Sequence, residues 1–140
     1  MPFVAFIFCL IFSFSLAQAA PSIVYVVSMP QPQTHYLEVE MRLNGTAAAT
    51  EAQKNGYIDL KMPVWTPGSY LIREYAKNVE GFQAFGGGQA VKAEKIRKNT
   101  WRIYSNNDNL TLRYRVYANE LSVRTSFVDR SEERRVGKEC

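Results

Sequence analysis

The chain of 140 residues holds a single histidine, His35, and two cysteines, Cys9 and Cys140, which lie close to its two ends. These shortages exclude much chemistry. A hydrolytic zinc site takes three protein ligands, usually histidine and acidic side chains, with one position left open for water. The two histidines of an HExxH motif cannot be written with His35 alone. No cysteine stands between Cys9 and Cys140, so there is no disulfide framework and core packing must hold the fold. No GxGxxG or GxxxxGK[ST] pattern occurs, which leaves nucleotide binding without support. The triple glycine at Gly86, Gly87 and Gly88 reads as a turn. A Ser-His-Asp arrangement is arithmetically possible, but no serine sits in a nucleophile-elbow motif. His35 reads as a surface or structural residue at the head of a strand. Long helical patterns are missing too.

What is present differs between the ends and the middle. Residues 3–16, FVAFIFCLIFSFSL, are apolar apart from two serines, and Ala-Gln-Ala follows at 17–19. The run is shorter than the ~20 apolar residues of a membrane helix. Together these features predict a secretory signal peptide over residues 1–19. The chain is therefore expected to be exported, periplasmic or extracellular, with no membrane attachment after cleavage. At the other end, RSEERRVGKEC (130–140) has no apolar periodicity and follows a strand-like run without turn chemistry. It resembles a translated sequencing adapter, whose opening AGATCGGAAGAGC reads in frame as Arg-Ser-Glu-Glu. Residues 130–140 are thus expected to be a non-native tail. Residues 20–129 remain as one domain. The whole chain carries 17 basic and 13 acidic residues, a net charge of +4. That balance is mild and points to no polyanionic partner.

The middle alternates with period two. In YLEVEMRL (36–43), Leu37, Val39, Met41 and Leu43 share one face, with Glu38, Glu40 and Arg42 on the other. SIVYVVS (22–28), YIDLKMPVW (57–65), EGFQAFGGG (80–88), QAVKAEKI (89–96), TWRIYS (100–105), NLTLRYRVYA (109–118) and LSVRTSFV (121–128) read as further strands. Residues 44–56, polar and small, form a loop with room for a short helix. Leu110, Leu112, Tyr114 and Val116 are expected inward. The predicted fold is all-β, a β-sandwich or saddle-like antiparallel sheet with long loops. Arg113, Arg115 and Arg124 alternate with Tyr114, Tyr117 and Phe127, as in single-strand-binding sheets. Period two, however, turns Tyr114 to the core and the arginines to solvent, so no nucleic-acid partner is expected.

One connection exceeds what a hairpin needs. KMPVWTPGSYLIREYAKNVEGF (61–82) breaks a strand at Pro63 and Pro67, turns at Gly68, and concentrates Trp65, Tyr70, Arg73, Glu74 and Tyr75. Proline ends ladder pairing because it lacks an N–H, and a single helical turn capped by Ser69 can follow. Aromatic and ionisable side chains on a braced loop are the usual make-up of a binding edge or domain interface.

This stretch, with PQPQTHYLEVEM before it and ELSVRTSF after it, closely resembles the N-terminal domain of the glycyl aminopeptidase family of zinc metallopeptidases, peptidase family M sixty-one. The resemblance covers about residues 23–129. It implies a β domain ahead of a thermolysin-like catalytic domain, often with a PDZ domain beyond. It also implies an enzyme exported by many bacteria that removes N-terminal glycine or alanine from peptides. The family's zinc ligands and catalytic glutamate belong to the following domain, so no catalytic residue and no cofactor carries over to this chain. Zinc is expected in the intact parent. The chain is accordingly expected to be an inactive fragment whose partners are the catalytic domain of the same polypeptide and, in the intact enzyme, a peptide substrate. Trp65, Tyr70, Arg73 and Glu74 are the cleft or interface candidates. In these roles Arg73 meets a carboxylate, Glu74 an α-ammonium, and Tyr70 forms an amphipathic wall. The alternative is a free-standing secreted β-sandwich that binds carbohydrate or peptide through the Trp65–Tyr75 edge.

Overall fold

The computed structural model describes residues 22–45, 47–68, 70–121 and 125–130. The apolar leader, Ser69 and residues 131–140 of the charged tail lie outside them. Nine elements follow one another: β1 (Ser22–Ser28), β2 (Tyr36–Asn44), α1 (Ala47–Asn55), β3 (Ile58–Lys61), β4 (Val79–Gly86), β5 (Gln89–Val91), β6 (Ala93–Arg97), β7 (Thr100–Ile103) and β8 (Asn109–Tyr117). Short 3-10 turns occupy Pro32–Thr34 and Tyr75–Asn78. The strands form two antiparallel sheets, one ordered β1-β2-β8-β4-β5 and the other β3-β7-β6.

Period two fixes which side chains meet. Leu43 opposes Leu110 and Met41 opposes Leu112 across β2 and β8. Ile58 opposes Ile103 across β3 and β7. Leu43, Ile103, Leu110 and Leu112 are completely buried, and with Ile58, Ala84 and Ala52 of α1 they make one core shared by both sheets. Each such aliphatic side chain is worth about 1.5–3 kcal/mol of burial. The loop read over 44–56 is largely the short helix it had room for, and Ala52 gives that helix a buried contact. Outward, the charges form ladders: Arg113 and Arg42 both reach Glu40, and Arg102 grips Asp59 through two bonds of 2.7 and 2.8 Å.

The triple glycine has two separate duties. Gly87 and Gly88, at φ 59° and 84°, make the two-residue turn between β4 and β5, which requires left-handed backbone at both positions. Gly86 is excluded from bearing a side chain by space: a Cβ there would stand 2.8 Å from Ser105 Oγ and 2.9 Å from Asn107 Nδ2. Farther back in β4, the register slips between Glu80 and Gln83. That bulge re-aims Phe82 so that it stacks between Trp101 and Tyr114, with ring centroids 5.3 and 6.0 Å away.

Two sequence expectations need correction. QAVKAEKI is not one strand. It breaks at Lys92 into β5, which belongs to the larger sheet, and β6, which belongs to the smaller one. Strands that switch sheets make the corners of sandwiches, and period two runs through such a corner without a mark. LSVRTSFV is not a regular strand at its described residues either. There Asn119 and Phe127 form an isolated bridge, and Val128 donates its N–H to Ala118. Among the described residues this segment pairs with the chain just before it and so closes a loop. His35 holds that loop. Its backbone is left-handed (φ 60°), its ring lies against Tyr117 and Phe127, and Nδ1–H donates to the Val128 carbonyl at 2.6 Å. The one histidine is a structural latch.

Candidate functional site: the loop between β3 and β4

The long connection is tied down at entry, waist and exit. At the entry, Met62 donates its N–H to the Asn99 carbonyl, and Asn99 Nδ2 donates to the Met62 carbonyl, both at 2.9 Å. At the waist, the Arg73 N–H reaches the Val64 carbonyl at 2.6 Å. At the exit, the 3-10 turn Tyr75–Asn78 buries Ala76, whose carbonyl accepts from Lys95 Nζ at 3.2 Å. Lys95 in turn stands over the Trp101 ring. Pro63 and Pro67 remove two backbone donors that a continuing strand would have paired. Gly68, at φ 81° with nothing within 4 Å of a would-be Cβ, is needed for its conformation alone.

Beyond the waist, the described residues of the lobe 65–72 present their side chains to solvent. Trp65 is 50% exposed, Tyr70 87%, Leu71 63% and Ile72 73%. Trp65 and Tyr70 stack at 6.3 Å with an interplanar angle of 25°. The structure therefore brings together two of the four residues singled out from the sequence. Arg73 and Glu74 go separate ways. Glu74 is exposed and pairs with Lys98 Nζ at 2.8 Å, a bond that holds its carboxyl below the ordinary glutamate range. Arg73 is half-buried, and its Nε is shielded from solvent without a hydrogen-bond partner among the described residues, as is the Tyr75 hydroxyl. A buried polar atom left unpaired costs about 1–3 kcal/mol.

Sequence reasoning passed over Leu71 and Ile72. Their signal was legible: two large aliphatic residues in a loop between Tyr70 and Arg73, with no alternating partner on either side. It also missed a recess of about 160 Å³ between the sheets, lined by Tyr25, Met41, Met62, Phe82, Trp101 and Tyr114 among others. That recess runs from the foot of the loop to the first strand. The expected one-turn helix appears only at Tyr75–Asn78, where Glu74 stands at the N-cap without a side-chain bond. The proposed Ser69 cap falls outside the described residues.

No cluster of three or more His, Cys, Asp or Glu side chains suited to a metal occurs among the described residues. His35, moreover, spends its Nδ1 on Val128.

Comparison with known proteins now decides the family. The model for the peptidase M61 N-terminal domain matches residues 24–134. This chain belongs to that family. A solved structure described as an aminopeptidase N family protein from Idiomarina loihiensis is similar to this M61 N-terminal domain, at 30% identity and a TM-score of 0.66. The likeness covers 77% of this chain and 17% of that one, so the M61 N-terminal domain corresponds to a small part of the longer relative. No curated protein matches the chain. The family match also runs past Asp129 into the charged stretch read from the sequence as a tail.

Proposed function

We propose that this M61 N-terminal domain is the non-catalytic β domain of an exported, glycyl-aminopeptidase-like zinc metallopeptidase, and that it docks on the catalytic domain and helps to wall the substrate cleft. One observation carries the docking: a lobe pinned at its base that holds Trp65, Tyr70, Leu71 and Ile72 in water. Exposed apolar side chains gathered in a patch belong to an interaction site, and aromatic anchors dominate such sites. Zinc, in this reading, belongs to the catalytic domain, and the peptide is its substrate. The flat Trp65–Tyr70 stack gives some support to the second reading, a secreted sandwich that binds carbohydrate or peptide.

The test uses the domain joined to the downstream peptidase sequence of its parent gene. Leu71→Ser with Ile72→Ser should loosen the docked domains, read as faster proteolysis between them, and should lower kcat/KM. Arg73→Ala should lower kcat/KM with little change in melting temperature. Unchanged proteolysis and activity in both variants would overturn the docking. Saturable binding of an oligosaccharide or peptide by the 140-residue chain, lost in Trp65→Ala, would favour the second reading.

A further inference from the structure

Among the described residues the larger sheet ends on β1, and that edge is unlike the edges soluble proteins keep. Natural edge strands are short, bulged, or carry charge or proline, because a bare ladder invites another strand. β1 runs for seven residues, Ser22–Ser28, pairs with β2 without a register break, and contains neither charge nor proline. Both of its faces are in water: Ile23, Tyr25 and Val27 are 53–57% exposed on one side, and Val24 and Val26 are 42–44% exposed on the other. The opposite edge of the same sheet, β5, has three residues.

The order of residues in β1 points to the occupant. Ser-Ile-Val-Tyr-Val-Val-Ser reads nearly the same in both directions about Tyr25. Antiparallel pairing with a second copy about a two-fold axis through Tyr25 sets Ser22 against Ser28, Ile23 against Val27, and Val24 against Val26. Tyr25 then meets Tyr25 on the axis. Residues directly opposite in an antiparallel pair share a face, so the inward face of one copy continues into that of the other. No like charges meet, because β1 has none. A two-fold interface must be complementary to itself, and a strand that reads the same both ways meets that demand along its whole length.

We infer that β1 is a self-association edge through which two copies of this chain join their five-stranded sheets into one continuous sheet. Seven paired residues span about 23 Å, which places the contact in the small, weak class of interface. The inference does not use the peptidase reading and concerns a different surface.

Sedimentation of the full chain should shift from monomer toward dimer over about 1–500 µM. Tyr25→Lys and Tyr25→Glu, each placing like charges on the axis, should each weaken association at least about tenfold. An equimolar mixture of the two should recover it. Tyr25 is half exposed, so melting curves should show both variants folded. Hydrogen exchange at the β1 amides needs no substitution and should slow as the wild-type concentration rises. Three results would overturn the inference: a wild-type monomer throughout, association indifferent to the charge at residue 25, or a mixture no tighter than its components. A monomer with slowly exchanging β1 amides at every concentration would likewise overturn it and assign the edge to another segment of the parent protein.

Discussion

Leu43 and Val27 occupy the same inward face of the same five-stranded sheet, yet Leu43 is 1% exposed and Val27 56%. The larger sheet has five strands and its cover has three. Where they overlap, with α1 closing one end, side chains from both sheets interlock into a core. Beyond the overlap the apolar pattern continues along β1, with a half-open recess between. Alternation therefore assigns a side chain to a face, and only a second layer makes that face an interior.

The largest expected effect tests this contrast directly. Leu112→Ala at the closed end should cost about 2–5 kcal/mol in denaturant unfolding, whereas Val27→Ala should cost less than about 1 kcal/mol. Equal losses would mean that β1 is packed after all. The glycines sharpen the same division. Gly86→Ala, at a buried position, drives a Cβ against the buried Ser105 hydroxyl and the exposed Asn107 amide and should cost about 1–3 kcal/mol. Gly68→Ala, in the open lobe, meets only the strain of a left-handed residue, about 1 kcal/mol.

A smaller effect lies in pH. The Arg102 guanidinium holds the Asp59 carboxyl below its ordinary value through two hydrogen bonds. A carboxylate depressed in the folded state stabilises the fold above the ordinary aspartate range, and that contribution disappears as pH falls through the depressed value. Asp59→Asn should therefore lower the melting temperature at neutral pH and converge with wild type below about pH 4, flattening the acid limb. The pair is partly exposed, so salt should shrink the difference. An acid limb identical to wild type would place the linkage elsewhere. The smallest effect belongs to the lobe: Tyr70→Ala should leave the melting temperature unmoved, since its ring is almost wholly in solvent. A clear loss would make the Trp65–Tyr70 stack a structural brace rather than a docking surface.

Much of this was legible in the residues. Period two in 36–43 and 109–118 named the strands and the inward sets that became β2, β8 and the core. Gly87-Gly88 announced the hairpin, the small polar run at 44–56 allowed α1, and the dense motif at 64–74 carried the family. Corners and partners were not legible. Lys92 breaks a run whose alternation passes through the corner from Val91 to Glu94, because the switch between sheets is a matter of which neighbour each half finds. Glu74 was grouped with Arg73 by adjacency, but adjacent side chains on a turn diverge, and Lys98 from the next hairpin supplied the opposite charge.

The division has a physical cause. Local alternation, turn chemistry and composition depend on nearest neighbours along the chain, so the sequence by itself determined that this is a β domain, cysteine-free through its body, with an over-built connection after its third strand. Burial depends on which surfaces come to lie face to face across long separations. Tertiary structure alone therefore decided that Leu43 is interior while Val27 stays in water, that His35 is a latch on Val128, and that Trp65 and Tyr70 stack on a lobe facing solvent.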